Sequence, residues 1–121
     1  MQSFRELKVW QRSHALVLEL YRVTEAFPSQ ERFGIVSQLR RAAVSVPTNI
    51  AEGSRRLTPK DYARFLNLAE ASLAETEYLL LLSRDLGYVA GDLTEPLVAE
   101  ASEISRMLYA LRRKVEQGSE E

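Results

Sequence analysis

The residues able to do chemistry are few. The chain has one histidine, His14, and no cysteine, so a thiolate zinc site, a cysteine nucleophile and a disulfide framework are excluded together. A di-iron carboxylate centre of the kind that helical bundles house needs a Glu-x-x-His motif on two helices, and the sequence has none. Glycine-rich phosphate loops, a Gly-x-Ser-x-Gly elbow and paired zinc-ligand spacings are missing as well. The expectation is a protein that is not an enzyme and that holds no cofactor and no metal. His14 shares a helical row with Trp10, Val17 and Tyr21, which predicts a packed ring bonded to a neighbouring carbonyl rather than a catalytic base, because no nucleophile or orienting carboxylate pairs with it.

Two other sets of side chains have binding rather than catalytic chemistry. Gly34, Gln38, Arg41, Ser45, Asn49 and Glu52 recur at spacings of three and four, so they run along one side of a helix, beside an apolar row. Such a row is either a solvated face or a seam, between helices or between subunits, in which hydrogen bonds fix register. Small residues at Gly34 and Ser45 suit close helix approach, and Ser72 and Glu75 on the following segment are further candidates for the seam.

The second set is basic: Arg40 and Arg41, Arg55 and Arg56, then Lys60 and Arg64. Arg40, Arg55, Arg56, Lys60 and Arg64 are candidate contacts to RNA or DNA phosphates, since guanidinium forks match phosphate geometry. No aromatic residue interleaves the loop from Arg55 to Lys60, so base stacking is not expected there. Charge is uneven along the chain. Residues 1–60 hold ten Lys and Arg against five Asp and Glu, a balance of +5, whereas residues 61–121 hold six against twelve, a balance of −6. The asymmetry marks either a basic binding face or helices of opposite charge paired with one another.

Four helical segments must position these groups. The first, residues 7–27, has Trp10, His14, Val17, Tyr21 and Thr24 as its inward row, widened by Leu16, Leu20, Val23 and Phe27. Ser3 and Glu6 can form a capping box before it, and Pro28 ends it. The second opens at Ser29 as N-cap with Glu31 near the positive helix end. Its core row is Val36, Leu39, Ala43, Val46 and Ile50, Pro47 is expected to kink it, and Gly53 to close it. The third has Thr58 as N-cap, Pro59 at the first helical position and Gly87 as its stop. Tyr62, Phe65, Leu66, Ala69, Leu73, Thr76, Leu80 and Ser83 are its inward residues. The fourth starts at Asp92 or Thr94 and turns Leu93, Leu97, Ala101, Ile104, Leu108, Leu111 and Val115 inward, with Arg112, Arg113 and Lys114 at its negative end. Residues 118–121 are expected to fray.

No segment alternates with period two, so the expected fold is all-α: an antiparallel up-down four-helix bundle with a proline-kinked second helix, one domain over residues 1–121. The most apolar run, Leu79 to Leu82, falls far short of the roughly 20 residues that a membrane span requires. Residues 1–10 carry Arg5, Glu6 and Lys8 and lack the apolar run of a secretory signal, as expected of mature protein.

The run Gln38-Leu-Arg-Arg-Ala-Ala-Val-Ser-Val-Pro-Thr-Asn-Ile-Ala-Glu-Gly53 resembles the signature of the 23S rRNA intervening-sequence protein family. Supporting matches are Leu7 with Val9-Trp10-Gln11, Phe27-Pro28 with Glu31, Phe65-Leu66 with Ala69, Ser72-Leu73 with Glu75, and Leu86-Gly87-Tyr88, so the likeness extends over nearly the whole chain. Ala71, where the family often has glycine, and Phe33-Gly34-Ile35, where Tyr-Gly-Leu is more usual, are small departures. The resemblance implies a cytoplasmic bacterial protein that assembles as a homopentameric ring, in a family whose activity is not established. A similar bundle serves as the accessory protein of diversity-generating retroelements, associated with nucleic acid and a reverse transcriptase. The expected function is therefore a non-enzymatic, homo-oligomeric, nucleic-acid-associated or scaffold protein. The alternative is a protein-binding adaptor whose grooves accept a partner helix.

Overall fold

The computed structural model describes residues 3–118; of the tail expected to fray, 118–121, only Gly118 lies within them, and its amide bonds back to the Val115 carbonyl. Four helices make up the bundle: α1 (Lys8–Thr24), α2 (Ile35–Ser54), α3 (Pro59–Asp85) and α4 (Gly91–Gln117). No strand occurs among the described residues, and no described helix is long and apolar enough to cross a membrane. Helix α3 shares the largest interfaces, one with α2 and one with α4, while α1 and α4 meet over the smallest. Leu20, Leu39, Ile50, Leu66, Leu73, Leu80, Ile104 and Leu108 are completely buried between them.

The N-terminal capping differs from expectation. Ser3 Oγ accepts from the Arg5 amide at 3.3 Å and caps a single 3-10 turn, Phe4–Glu6, after which Leu7 is extended and α1 begins at Lys8. The buried face of α1 keeps Val17 and Thr24 of the expected row, with Leu16 and Leu20 beside them, but not His14 and Tyr21. Val9, Ser13, Leu16, Val17, Leu20 and Thr24 point inward, whereas Tyr21 and His14 are exposed. The reason is that small hydroxyls can be buried at little cost when they bond back to their own helix. Ser13 donates to the Trp10 carbonyl at 3.0 Å and Thr24 to that of Leu20 at 2.7 Å. His14 instead stacks on Trp10, rings 5.0 Å apart and nearly parallel.

Ser29 does not open α2. It starts a second 3-10 turn, Ser29–Glu31, and α2 begins at Ile35. Glu31 nevertheless meets the helix end, since its Oε1 accepts from the Ile35 amide at 3.2 Å. Its Oε2 accepts from the Tyr88 hydroxyl at 2.8 Å, and the Tyr88 ring packs against Phe27 with centroids 5.7 Å apart. This latch ties the α1–α2 join to the α3–α4 join at one end of the bundle.

Helix α2 runs through Pro47, whose ring is buried, and it also continues through Gly53 to Ser54. Gly53 is therefore a packing residue rather than a helix stop: a Cβ there would lie 2.7 Å from Phe65 Cβ and 3.0 Å from Tyr62 Cδ1. Ser45 meets Ser72 further along, so contact partners run in opposite order on α2 and α3.

The ends of α3 follow their local chemistry. Thr58 Oγ1 accepts from the Asp61 amide at 3.1 Å, with Pro59 in the first turn. Gly87, at φ 82°, ends the helix in a Schellman motif: its amide reaches the Arg84 carbonyl and the Tyr88 amide that of Ser83, both at 2.9 Å. Helix α4 starts earlier than expected, at Gly91, because Thr94 is not a cap: it is buried and donates back to the Ala90 carbonyl at 2.8 Å. Leu93, expected inside, is 56% exposed as a result. Two ion pairs hold α4 to its neighbours, Arg12 to Glu100 at 2.7 Å and Arg112 to Glu70 at 3.1 Å.

Two measurements follow. Gly53→Ala is expected to destabilise the protein by about 1–3 kcal/mol through overpacking against Phe65. Gly91→Ala, whose Cβ would meet nothing within 4 Å, is expected to be neutral or to stabilise by up to about 1 kcal/mol; equal denaturant midpoints for the two variants would refute the close-packing account. The second concerns Glu31, which is held below its ordinary carboxylate value first by the Tyr88 hydroxyl and then by the Ile35 amide. A group with a depressed folded pKa contributes stability above its unfolded pKa and loses it as pH falls through the folded value. Tyr88→Phe should thus lower the thermal midpoint at neutral pH, with a deficit that shrinks on acidification through the carboxylate range. A deficit independent of pH would assign the effect to ring packing instead.

Candidate nucleic-acid interface

Four of the five basic candidates gather at the end of the bundle opposite the Glu31–Tyr88 latch. Arg55 caps the C-terminus of α2, Arg56 lies in the join of residues 55–58, and Lys60 and Arg64 occupy the first two turns of α3. Asp61, fixed by the Thr58 cap, accepts from Arg56 Nε on one carboxylate oxygen and from Arg64 Nε on the other, each at 3.0 Å. Both guanidiniums lie over the Phe65 ring, 5.1 and 4.6 Å from its centroid, and Arg55 lies 5.8 Å from that of Phe4. Aromatic residues thus do accompany the basic loop. They come from the 3-10 turn before α1 and from the second turn of α3, outside the window in which the sequence shows none.

Arg40 does not belong to this group. It stands 15 positions before Arg55 on the same helix, roughly 22 Å away at 1.5 Å per residue, and is folded onto the end of α1. Its Nε donates to Thr24 Oγ1 at 2.9 Å, its Nη2 to the Tyr21 carbonyl at 3.1 Å, and its guanidinium covers the Tyr21 ring at 4.3 Å. An arginine there satisfies a free C-terminal carbonyl and complements the helix dipole. It is a clamp between α1 and α2.

The fold adds cations that linear spacing could not assign. The C-terminal turns of α4 lie beside the first turns of α3 and bring Arg112, Arg113 and Lys114 to the same end. Arg112 is held by Glu70 and by Glu116 at 3.0 Å, and the Glu70 bond raises it above its ordinary value. A groove of about 550 Å³ between the two helices is lined by Lys60, Arg64, Asn67 and Arg112, among others. An adjoining one of about 450 Å³ includes Arg56, Leu57 and Lys114. Leu57, in the join, is 99% exposed. Arg55 and Lys60 make no ion pair among the described residues, whereas Arg56 and Arg64 share Asp61. The signal for the α4 contribution was present in the charges of its last turn; only the neighbouring position of α3 was not.

The polar row separates into two grooves. Gln38, Arg41 and Ser45 on α2 face Ser72 and Glu75 on α3 across a groove of about 290 Å³. Ser45 Oγ and Ser72 Oγ are 2.8 Å apart, and Asn49 Nδ2 donates to Ser45 Oγ at 2.9 Å. Glu52 lies elsewhere, at the edge of an apolar groove of about 440 Å³ between α1 and α2 that includes Trp10, His14, Val17 and Pro47. No group of three or more potential metal ligands occurs among the described residues.

The family model described as 23S rRNA-intervening sequence protein matches residues 5–110. Among solved structures, the chain is similar to a protein with unknown function from the S23 ribosomal protein family of Bacteroides thetaiotaomicron VPI-5482. That likeness has a TM-score of 0.78 and 24% identity over 86% of this chain and 97% of the other, and it establishes the fold. No curated protein matches.

The two kinds of arginine are separable by stability. Arg40→Ala, which removes charged hydrogen bonds at a helix end, is expected to cost about 1–3 kcal/mol. Arg55→Ala should stay within about 0.5 kcal/mol of the parent. Guanidinium midpoints check this, and an unchanged Arg40→Ala midpoint would return Arg40 to the pool of groups available to a ligand.

Proposed function

The chain belongs to the 23S rRNA-intervening sequence protein family, and from that premise we propose a cytoplasmic, non-enzymatic, homo-oligomeric protein that binds the backbone of RNA or DNA with the basic end of its bundle. The observation that carries this reading is the gathering of Arg55, Arg56, Lys60, Arg64, Arg112, Arg113 and Lys114 at one end, where Arg55 and Lys60 are left without carboxylate partners among the described residues. A single patch of this size binds weakly. Repeating it around a homopentameric ring raises the effective concentration of the second and later binding events.

The subunit contact we assign to the α2–α3 groove. Ser45, Asn49 and Ser72 already satisfy one another there, and Gln38, Arg41 and Glu75 remain at its rim with donors and acceptors to offer. A scaffold or adaptor role is the second reading. It rests on the apolar α1–α2 groove, whose Trp10, Val17 and Pro47 lining suits the apolar face of a partner helix.

Light scattering tests the assembly: wild type is expected to give one defined oligomer and Arg41→Ala a smaller or concentration-dependent one, while a wild-type monomer at micromolar concentration would remove the ring. Filter retention of RNA and DNA over a salt series tests the binding. Affinity should fall steeply with salt, and Arg55→Ala combined with Lys60→Ala should flatten the log–log slope by about two, near one unit for each phosphate no longer neutralised. No retention at low salt would leave the adaptor as the better account.

A further inference from the structure

The basic end contains cations that differ in what they have left to offer. Lys60 is exposed and makes no ion pair among the described residues, so its ammonium is available as a point charge for phosphate. Arg64 is in the opposite condition. Its Nε and Nη2, the side-on edge of the guanidinium, both lie 3.0 Å from Asp61 Oδ1, which leaves only the terminal edge for a second anion. One face of its guanidinium lies on Phe65, and the side chain is 60% exposed. What remains is a flat cation with a fixed plane beside the 550 Å³ groove. Such a plane has lost its side-on grip on phosphate and is well suited to stacking on a nucleobase.

The groove has the size of a small-molecule site, which is roughly 300–1,000 Å³. Its far wall carries Arg112, already held by Glu70 and Glu116. On the α3 wall, one turn beyond Arg64, stands Asn67, an exposed neutral amide with donors and an acceptor. Bases in a duplex are stacked and paired, and they show a protein only their edges. The face of a base reaches Arg64 only from an unpaired nucleotide.

We propose that this groove takes one unpaired nucleotide of a single strand, with its base stacked on Arg64, its edge met by Asn67 and its phosphate on Lys60, so that the protein prefers single-stranded to duplex nucleic acid. The inference rests on the nucleic-acid reading above and goes beyond it in naming the form of the ligand. Asp61 is then a positioning residue, which fixes the plane of Arg64 at the expense of its side-on edge.

Fluorescence anisotropy on the full chain, with labelled single-stranded RNA and DNA oligonucleotides and their duplexes, tests it. Wild type is expected to bind the single strands more tightly. Arg64→Lys keeps the charge but loses the plane, and should weaken single-strand binding by about tenfold, well beyond any loss of duplex affinity. Equal affinity of wild type for single strand and duplex, or wild-type behaviour of Arg64→Lys, overturns the proposal and spares the backbone-binding reading; no binding of either form at low salt overturns both. Should Arg64→Lys lose helicity by circular dichroism, Asn67→Ala carries the same comparison at an exposed helical position. Loss of single-strand affinity alone supports the proposal, and no change overturns it.

Discussion

Helix α2 approaches α3 at Gly53 too closely to admit a side chain. With 2.7 Å between a hypothetical Cβ and Phe65 Cβ, no other residue fits there without moving a backbone. Much of the basic end is built outward from this contact. Phe65 is fixed at its root by Gly53, Arg56 and Arg64 lie on its ring, and Asp61, one turn earlier on α3, binds both of them. A packing requirement in the core thereby determines the orientation of charged groups at the surface. Individually, exposed ion pairs of this kind contribute little to stability. Here their consequence is geometric, since they decide which edge or face of each guanidinium is left open.

What was legible in the sequence follows the range of the interactions involved. Both ends of α3 could be read from a few adjacent residues, because Thr58 with Pro59 and Gly87 act through their own backbone. The four-helix count and most of the core rows were legible for the same reason. The faces of α1 and α4 were less so. Ser13 and Thr94 are buried where hydropathy would place them outside, each bonded to a carbonyl of its own helix or of the residue preceding it, while Tyr21 and Leu93 take the exposed positions. The role of Arg40 required knowing that the end of α1 lies beside it. The part played by Arg112 and Lys114 required knowing that α4 ends where α3 begins.

The +5 and −6 halves resolve into local arrangements rather than into one basic face against one acidic face. Arg12 with Glu100 pairs the two halves across α1 and α4, and Arg56 with Asp61 pairs them across a single turn. Arg40 with Glu25 stays within the basic half and Arg112 with Glu70 within the acidic one. Two cations that this pairing leaves over, Arg55 and Lys60, stand at the same end as the open face of Arg64.

The α1–α4 contact joins the smallest of the major helix interfaces to the longest separation along the chain. Arg12 meets Glu100 across 88 positions, whereas Gly53 meets Phe65 across only 12. Loop-closure entropy grows with the logarithm of length, so bringing α4 back to α1 costs about 2 kcal/mol more than closing the α2–α3 hairpin. The same side of the molecule has the least buried contact to set against that cost. Parting α1 from α4 is therefore the least costly way for the bundle to open, and it leaves the α2–α3 hairpin, with Gly53, Phe65 and the arginines stacked on it, assembled.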